Sequence, residues 1–308
     1  MPESISGMTK LKLTLFAILV GGNLFCYAQP EILPLYPDGK IPLSKPCNLV
    51  EIFDTTTDGR PNFYKNITSP SLYYWKTYKP NPNRNAVLVI PGGSYSFVSM
   101  ENEGRKVAER LSSEGFEVFV LKYRLPNSTC MEHQEWVPLT DAMQALNRIR
   151  KLGFLNVGVI GFSAGGHLAG SLALLSKKNP YSVSMDPPKY VCLLYPVISF
   201  QNYPQLSSKK NLLGDNPSDS LIKQFSLEKQ VLSKGSPILL IHSIDDEAVS
   251  YQNSELLFGE LIKQKSHSEI HLFPLGGHGY GIGSVEQKDA PNWLHLARRF
   301  AKFGRGRG

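Results

Sequence analysis

The residues Gly161–Gly165 follow the pattern glycine, any residue, serine, any residue, glycine. The alternating apolar and β-branched run Asn156–Ile160 precedes them and predicts a buried strand, and the small residues and leucines after them predict a tightly packed helix. A serine on such a sharp strand-to-helix turn exposes its hydroxyl above the sheet, and the helix N-terminus behind it favours developing negative charge. The pattern therefore indicates Ser163 as a nucleophile. Glycine-rich turns also serve nucleotide binding or plain packing, so the five residues alone leave those interpretations open.

Two later strands end in residues that are able to activate this serine. The predicted strand Pro237–Ile241 leads into a loop with Asp245 and Asp246, and the predicted strand Glu269–Phe273 leads into a glycine-rich loop with His278. A serine, a carboxylate and a histidine in this chain order, each following its own strand, predict a catalytic triad at the carboxyl edge of a sheet. The two aspartates are adjacent, so we expect only one of them to meet the histidine. The other interpretation for either is a cap on the next helix.

Three histidines compete for the role of general base. His167 lies four residues after Ser163 on the same predicted helix, where its side chain points toward the core, so we interpret it as a hydrogen-bonded packing residue. His242 ends a strand and is expected to support the acid-bearing loop. His278, which glycines flank after a strand, is the predicted base.

An oxyanion hole needs two backbone N–H groups that converge on one carbonyl oxygen. Ala164, directly after the serine, would supply the first. The loop after the predicted strand Ala86–Ile90 is rich in glycine, so Gly93 or Ser94 would supply the second. A simple turn is an equally good interpretation of that loop in isolation.

From Ala86 onward the apolar pattern alternates between strands and helices, which predicts an α/β fold with a mostly parallel sheet covered on both faces. Before Ala86, two edge strands of an antiparallel start are predicted at Leu49–Phe53 and Leu72–Tyr78. The long connection Phe200–Gly235 is a candidate cap over the site. Further strands are predicted at Glu117–Tyr123 and Val191–Tyr195, and helices at Asn102–Ser113, Leu139–Leu152, Ser218–Gln224, Tyr251–Lys265 and Asn292–Phe303.

The N-terminus has the layout of a secretory signal, with Lys10 and Lys12 before the apolar run Leu13–Val20 and a small-residue end at Ala28. We therefore predict a signal peptide over 1–28, one domain over 29–308, and a secreted or periplasmic protein without stable membrane insertion. The net charge of +7 is partly concentrated near the C-terminus, which we interpret as a solvated helix end, and no nucleic-acid footprint is present.

Three cysteines follow the predicted signal peptide. Cys192 lies in an apolar strand and is predicted to be a buried thiol. Cys47 and Cys130 both lie in loop-like sequence, and an oxidising compartment would allow them to pair. No cysteine or histidine spacing matches a zinc site, and we predict neither a metal nor an organic cofactor.

Taken together, the motifs between about Ala86 and Gly281 resemble bacterial α/β-hydrolase esterases of the acetyl xylan esterase and hemicellulose-esterase type. The motifs are Pro91–Tyr95, Tyr123–Leu125, Gly161–Leu168, Leu194–Pro196, Leu213–Asp215, His242–Asp246 and Gly276–Gly281. The resemblance implies an α/β-hydrolase fold and a serine esterase that removes acetyl groups from plant polysaccharides such as xylan, with a small ester or acetylated saccharide as its substrate.

The acid-loop pattern of these esterases, H-x-x-x-D-x-x-V-P, aligns His242 and Val249 and therefore implies Asp246 as the acid. Two departures are Ser94, where a third glycine is usual, and Ser250, where proline is usual. A serine peptidase of the prolyl-oligopeptidase type would share the triad but usually has a large extra domain. A non-catalytic carbohydrate-binding protein on a hydrolase scaffold normally lacks a triad member.

Overall fold

One large sheet organises the computed structural model, which describes residues 29–57, 59, 61–181, 184–232, 235–283 and 291–303. Within these residues the sheet has eight strands in the order β1-β4-β6-β5-β7-β8-β9-β10. The strands are β1 Glu31–Pro34, β4 Ser71–Trp75, β5 Asn85–Ile90, β6 Glu117–Lys122, β7 Asn156–Phe162, β8 Val191–Leu194, β9 Ile238–Ser243 and β10 Ser268–Phe273. The predicted signal peptide lies outside the described residues.

The sheet is parallel from β6 to β10, while β1 and β4 pair antiparallel at the other end. The antiparallel start that the sequence predicts is thus present, but the prediction that Leu49–Phe53 forms one of its strands was wrong. The residues around Leu49–Phe53 contribute only an exposed strand, β2 Ile52–Thr55, which pairs with β3 Pro61–Lys65 outside the large sheet. The edge position belongs to β1, a mostly exposed strand of four residues without an apolar pattern.

Seven α-helices occur in the described part of the chain. They are α1 Lys106–Ser112, α2 Val137–Lys151, α3 Ser163–Leu174, α4 Leu206–Leu213, α5 Asp219–Gln224, α6 Gln252–Lys263 and α7 Leu294–Phe303. The predicted helix over 102–113 divides into a π-helical turn, Met100–Arg105, and α1. The helix α4 was not predicted, because its sequence LSSKKNLL has no clear apolar stripe. None of these helices combines the length and the apolar sequence that a bilayer crossing requires.

The core lies on the central parallel strands. Five of six residues in β5, six of seven in β7 and all six in β9 are buried. Since neighbouring residues of a strand point to opposite faces, this burial means that both faces of the sheet are covered. Because these strands are parallel, their carboxyl ends meet at one edge of the sheet, and the loops after them come together there.

A buried ion pair ties the N-terminal segment to this core. Arg124 follows β6, Asp141 lies on α2, and both side chains are fully buried. The Arg124 Nη2 and Nε donate to the two carboxylate oxygens of Asp141 at 2.6 and 2.9 Å. Tyr36 donates its hydroxyl to the same carboxylate at 2.9 Å, and Arg124 also donates to the carbonyl of Pro42.

The structure contains the buried thiol that the sequence predicts and the disulfide that the sequence left open. Cys47 and Cys130 form a disulfide with their Cα atoms 5.2 Å apart, which closes a loop of 83 residues. Cys192 is a free thiol buried in β8, and burial raises the pKa of this thiol above its usual value.

The ion pair leads to a prediction about stability. Asp141→Ala leaves the buried Arg124 guanidinium without its anion, so the free energy of unfolding should fall by about 3–5 kcal/mol. Urea unfolding monitored by circular dichroism measures the change. Glu260→Ala is the control, because it breaks an exposed pair with Lys263 (2.6 Å) and should cost no more than about 1 kcal/mol. Equal losses in the two variants would contradict the assignment of Arg124–Asp141 as a buried structural pair.

Candidate active site

Ser163 begins α3 directly after β7, with a left-handed backbone (φ +51°) that non-glycine residues rarely adopt. Glycines on either side make this turn possible. A Cβ on Gly165 would lie 2.2 Å from the carbonyl oxygen of Ile90, and a Cβ on Gly161 would lie 2.4 Å from the carbonyl oxygen of Gly165. The predicted strand–turn–helix is therefore present, and its spacing has a steric cause.

A continuous chain of hydrogen bonds starts at this serine. Ser163 Oγ lies 2.9 Å from Nε2 of His278, and Nδ1 of His278 lies 2.7 Å from Oδ2 of Asp246. The sequence separations are 115 and 32 residues, so only the fold brings the three side chains together. With Asp246 ionised, Nδ1 donates to the carboxylate and Nε2 accepts from the serine hydroxyl.

The carboxyl group of Asp246 is held as an anion. Burial alone would raise its pKa, but hydrogen bonds from His242 and His278 and from the backbone of Val249 lower the pKa of Asp246 to about 2. The N–H groups of Ala248 and Val249 both donate to Oδ1 at 2.9 Å. Asp246 therefore stays charged beside His278 throughout the ordinary pH range.

His242 supports the acid loop (residues 244–249), as the sequence predicted. Its Nε2 donates to the carbonyl of Val249 at 2.9 Å and to Asp246 at 3.2 Å, while Nδ1 accepts from the Ser254 hydroxyl. Asp245 has a different position. Its exposed carboxylate accepts the N–H of Gly277 at 2.8 Å and of Gly276 at 3.3 Å, which ties the acid loop to the histidine loop (residues 274–281).

The loop after β5, residues 91–97 and hereafter the glycine loop, lies against the serine. A Cβ on Gly92 would be 2.9 Å from the Cβ of Ser163. Gly93 (φ +128°) and Ser94 (φ +53°) both have left-handed backbones, so Ser94 adopts a conformation that glycine favours. The glycine loop thus packs directly against the elbow, and Gly93, Ser94 and Ala164 stay predicted oxyanion donors.

His167 is a packing residue, as predicted. It is fully buried, its Nε2 donates to the carbonyl of Phe225 at 2.8 Å, and its Nδ1 accepts from the hydroxyl of Tyr95 at 2.8 Å. Burial lowers the pKa of His167 to about 4. The side chain therefore joins the glycine loop to the connection 200–235, whose Asn211 also donates to the carbonyl of Ser94.

Glu103 is a site-forming residue that the sequence analysis missed. Its buried carboxylate accepts the N–H of Gly92 at 2.7 Å and the hydroxyl of Tyr195 at 2.9 Å. The Tyr195 hydroxyl in turn accepts the N–H of Gly281 at 3.0 Å, and its ring packs edge-on against the ring of His278. Burial raises the pKa of Glu103, and the donors from Gly92 and Tyr195 oppose that rise. One carboxylate thus connects the glycine loop to the histidine loop.

A sequence signal for Glu103 did exist. The predicted helix over 102–113 has an apolar face with Val107 and Leu111, and Glu103 precedes Val107 by one helical turn on that same face. A carboxylate on an apolar face requires a buried partner. Among the described residues, no group of three or more His, Cys, Asp or Glu side chains is arranged to hold a metal ion.

The mostly parallel sheet, the strained serine turn and the Ser–His–Asp chain together define an α/β hydrolase. Within that class, the chain belongs to the BD-FAE family, whose model matches residues 73–261. The match includes Ser163 and Asp246 and ends before His278.

The names of three similar proteins refer to xylan or to a xyloside. The chain is 31% identical to the acetyl ester-xyloside bifunctional hydrolase of Caldicellulosiruptor lactoaceticus, with a TM-score of 0.71 over 91% of this chain and 98% of that one. It is 33% identical over 229 residues to endo-1,4-beta-xylanase B of Butyrivibrio fibrisolvens and 31% identical over 233 residues to the acetylxylan esterase of Xylanibacter ruminicola. Each match covers 70% of this chain, but only 35% and 46% of those two longer proteins.

The buried histidine leads to a prediction about pH. The folded-state pKa of His167 is about 4, below the ordinary 6.5, so its contribution to stability is complete above pH 6.5 and is lost as the pH falls toward 4. His167→Gln provides a donor and an acceptor that do not titrate. Between pH 7 and pH 4.5 the original protein should lose about 2 kcal/mol more free energy of unfolding than this variant. Parallel losses in urea unfolding would contradict a neutral buried His167.

The two aspartates lead to a second prediction, on the reactivity of Ser163 toward a fluorophosphonate. Asp246→Asn should slow labelling by about 10⁴-fold, because the amide favours the wrong tautomer of His278. Asp245→Asn should slow it less than about tenfold, since its remaining oxygen still accepts from Gly277. Intact-mass measurement of the adduct gives both rates, and the reverse ranking would contradict this assignment of the acid.

Proposed function

We propose that the chain is a serine esterase that removes acetyl groups from plant polysaccharides such as acetylated xylan. The hydrogen-bonded chain from Ser163 through His278 to Asp246 is the observation that carries this proposal. A non-catalytic binding protein would not need a strained serine in contact with a histidine and a buried carboxylate.

In the first half of the reaction, Ser163 Oγ attacks the ester carbonyl carbon while Nε2 of His278 takes the hydroxyl proton. Asp246 holds the ring and stabilises the imidazolium. The N–H groups of Ala164 and of Gly93 or Ser94 donate to the oxyanion. As the intermediate collapses, the C–O bond to the sugar breaks, and His278 gives its proton to the leaving sugar oxygen.

The second half releases the acyl group. Water attacks the acyl-serine carbonyl carbon, and His278 accepts a proton from this water. The bond to Ser163 then breaks, its oxygen regains the proton from His278, and the carboxylic acid leaves. All proton transfers use one imidazole, so this reaction needs no metal or organic cofactor.

The substrate class rests on the relatives. An acetylxylan esterase and an acetyl ester-xyloside hydrolase both match this chain at 31% identity. An acetyl group carried on a polymer would have to approach Ser163 from the carboxyl edge of the sheet, where the glycine, acid and histidine loops meet.

We also propose that residues 1–28 are a signal peptide and that the hydrolase domain, 29–308, acts outside the cytoplasm. The lysine-flanked apolar run at the N-terminus supports this proposal. The disulfide between Cys47 and Cys130 supports it further, because such bonds persist in oxidising compartments.

The test is Ser163→Ala. Turnover of p-nitrophenyl acetate and acetate release from acetylated xylan should both fall by about three to six orders of magnitude, because triad members act as a unit. A circular dichroism spectrum and urea midpoint equal to those of the original protein serve as the folding control. Retained turnover would contradict the serine mechanism.

Inhibitors distinguish this mechanism from a metal-dependent deacetylase. A fluorophosphonate should abolish acetate release, whereas a chelator should leave it unchanged, since no metal-bound water takes part. The opposite result would overturn the proposal. Aminoacyl anilides provide the comparison with a peptidase, and faster turnover of these amides than of acetyl esters would favour that alternative.

A further inference from the structure

A polar groove borders the glycine loop. Its walls are the glycine loop itself, the turn after β6, the 3-10 turn Gln134–Trp136 before α2 and the end of α4. Its lining residues include Ser96, Asn127, Gln134, Lys210, Asn211 and Asp215. The groove encloses about 410 Å³, within the size range of small-ligand sites.

The groove is built onto the candidate oxyanion hole. Asn211 on α4 donates its Nδ2 to the carbonyl of Ser94 at 2.7 Å, and Ser96 donates its hydroxyl to the carbonyl of Gly93 at 3.1 Å. The backbone carbonyls of Gly93 and Ser94 are therefore hydrogen-bonded by groove residues, while the preceding residue, Gly92, packs against Ser163. A ligand in the groove would therefore lie against the loop that carries the candidate oxyanion donors.

The chemistry of the lining selects the ligand. Most small-molecule pockets are largely apolar, but half of this lining consists of amide and hydroxyl side chains, which do not suit a long acyl chain. Lys210 and Asp215 pair with each other at 2.8 Å, so the rim carries no net charge to attract an ion. A neutral ligand with many hydroxyl groups matches this surface.

Two amides present complementary groups to such hydroxyls. The Oδ1 of Asn127 accepts from the N–H groups of Thr129 and Cys130, which leaves its Nδ2 as the donor for a ligand. The Nδ2 of Asn211 is used on Ser94, which leaves its Oδ1 as an acceptor. A sugar hydroxyl both donates and accepts, so it can use either group. The disulfide at Cys130 braces the turn that carries Asn127.

We propose that the polar groove is a subsite for the neutral sugar chain that carries the ester, and that it positions this chain beside Ser163. The inference rests on the proposed esterase function and specifies where the polysaccharide binds. The groove holds the sugar backbone, while the acetyl group reaches the serine over the glycine loop.

Two variants test the subsite through the specificity ratio. Asn127→Asp keeps the oxygen that caps the turn but replaces the Nδ2 donor with a second carboxylate oxygen and adds a negative charge, and Gln134→Ala removes a neutral amide from the lining without a change in charge. Each should lower the ratio of kcat/KM for acetylated xylohexaose to kcat/KM for p-nitrophenyl acetate by about three- to tenfold, the effect of one lost neutral hydrogen bond. Gln264→Ala, an exposed amide before β10 and thus at the opposite edge of the sheet, is the matched control. Ratios equal to that of the control would overturn the proposal.

A binding experiment separates the subsite from the catalysis. Ser163→Ala should bind unacetylated xylohexaose in calorimetry, and adding Asn127→Asp or Gln134→Ala should raise Kd by about three- to tenfold. If Ser163→Ala keeps its esterase activity, the proposed mechanism fails while the binding result still decides the subsite. No binding of xylohexaose, or identical Kd values in all variants, would overturn the subsite even if Ser163 proves to be the nucleophile.

Discussion

The left-handed backbone of Ser163 is the constraint on which the surrounding structure depends. An L-residue adopts this conformation only where its neighbours leave no alternative, and here three segments meet at the turn. The register aligns Ile90 of β5 with Gly161 of β7, so the glycine loop and the elbow start side by side. Glycine at Gly92 and Gly165 then lets the two backbones approach more closely than any Cβ would allow. The packing around the turn is so tight that Ser163 itself is only 7% exposed.

Buried polar groups hold the remaining loops to this point. Glu103 and Tyr195 connect the glycine loop with the histidine loop, and His242 closes the acid loop onto Asp246. A buried carboxylate is costly unless donors surround it, so each of these groups stabilises one arrangement of its loop and penalises others. The sheet supplies the positions of the strand ends, while these hydrogen bonds fix the orientation of the loops that leave them.

The local pattern of apolar residues predicted the parallel strands and most helices. Strands buried on both faces give continuous apolar runs, and amphipathic helices repeat their apolar residues with the period of the helix. It did not reveal β1, which is short and exposed, or α4, whose polar sequence is stabilised by contacts with the glycine loop. The order of the residues placed Ser163, Asp246 and His278 after separate strands. The choice of Asp246 over Asp245 required the acid-loop pattern of the esterases that the chain resembles. The role of Glu103 was not predicted, because its hydrogen-bond partners Gly92 and Tyr195 lie 11 and 92 residues away in the sequence.

Ser163 and His278 are separated by 115 residues in sequence, and this separation affects when the triad can form during synthesis of the chain. A chain that is synthesised from its N-terminus completes the elbow strand and its helix well before the edge strand β10 and the histidine loop exist. Domains acquire their packing as units, and a serine without its imidazole is an ordinary alcohol. Under the proposed mechanism, the nascent chain is therefore inert toward esters until the edge strand β10 docks.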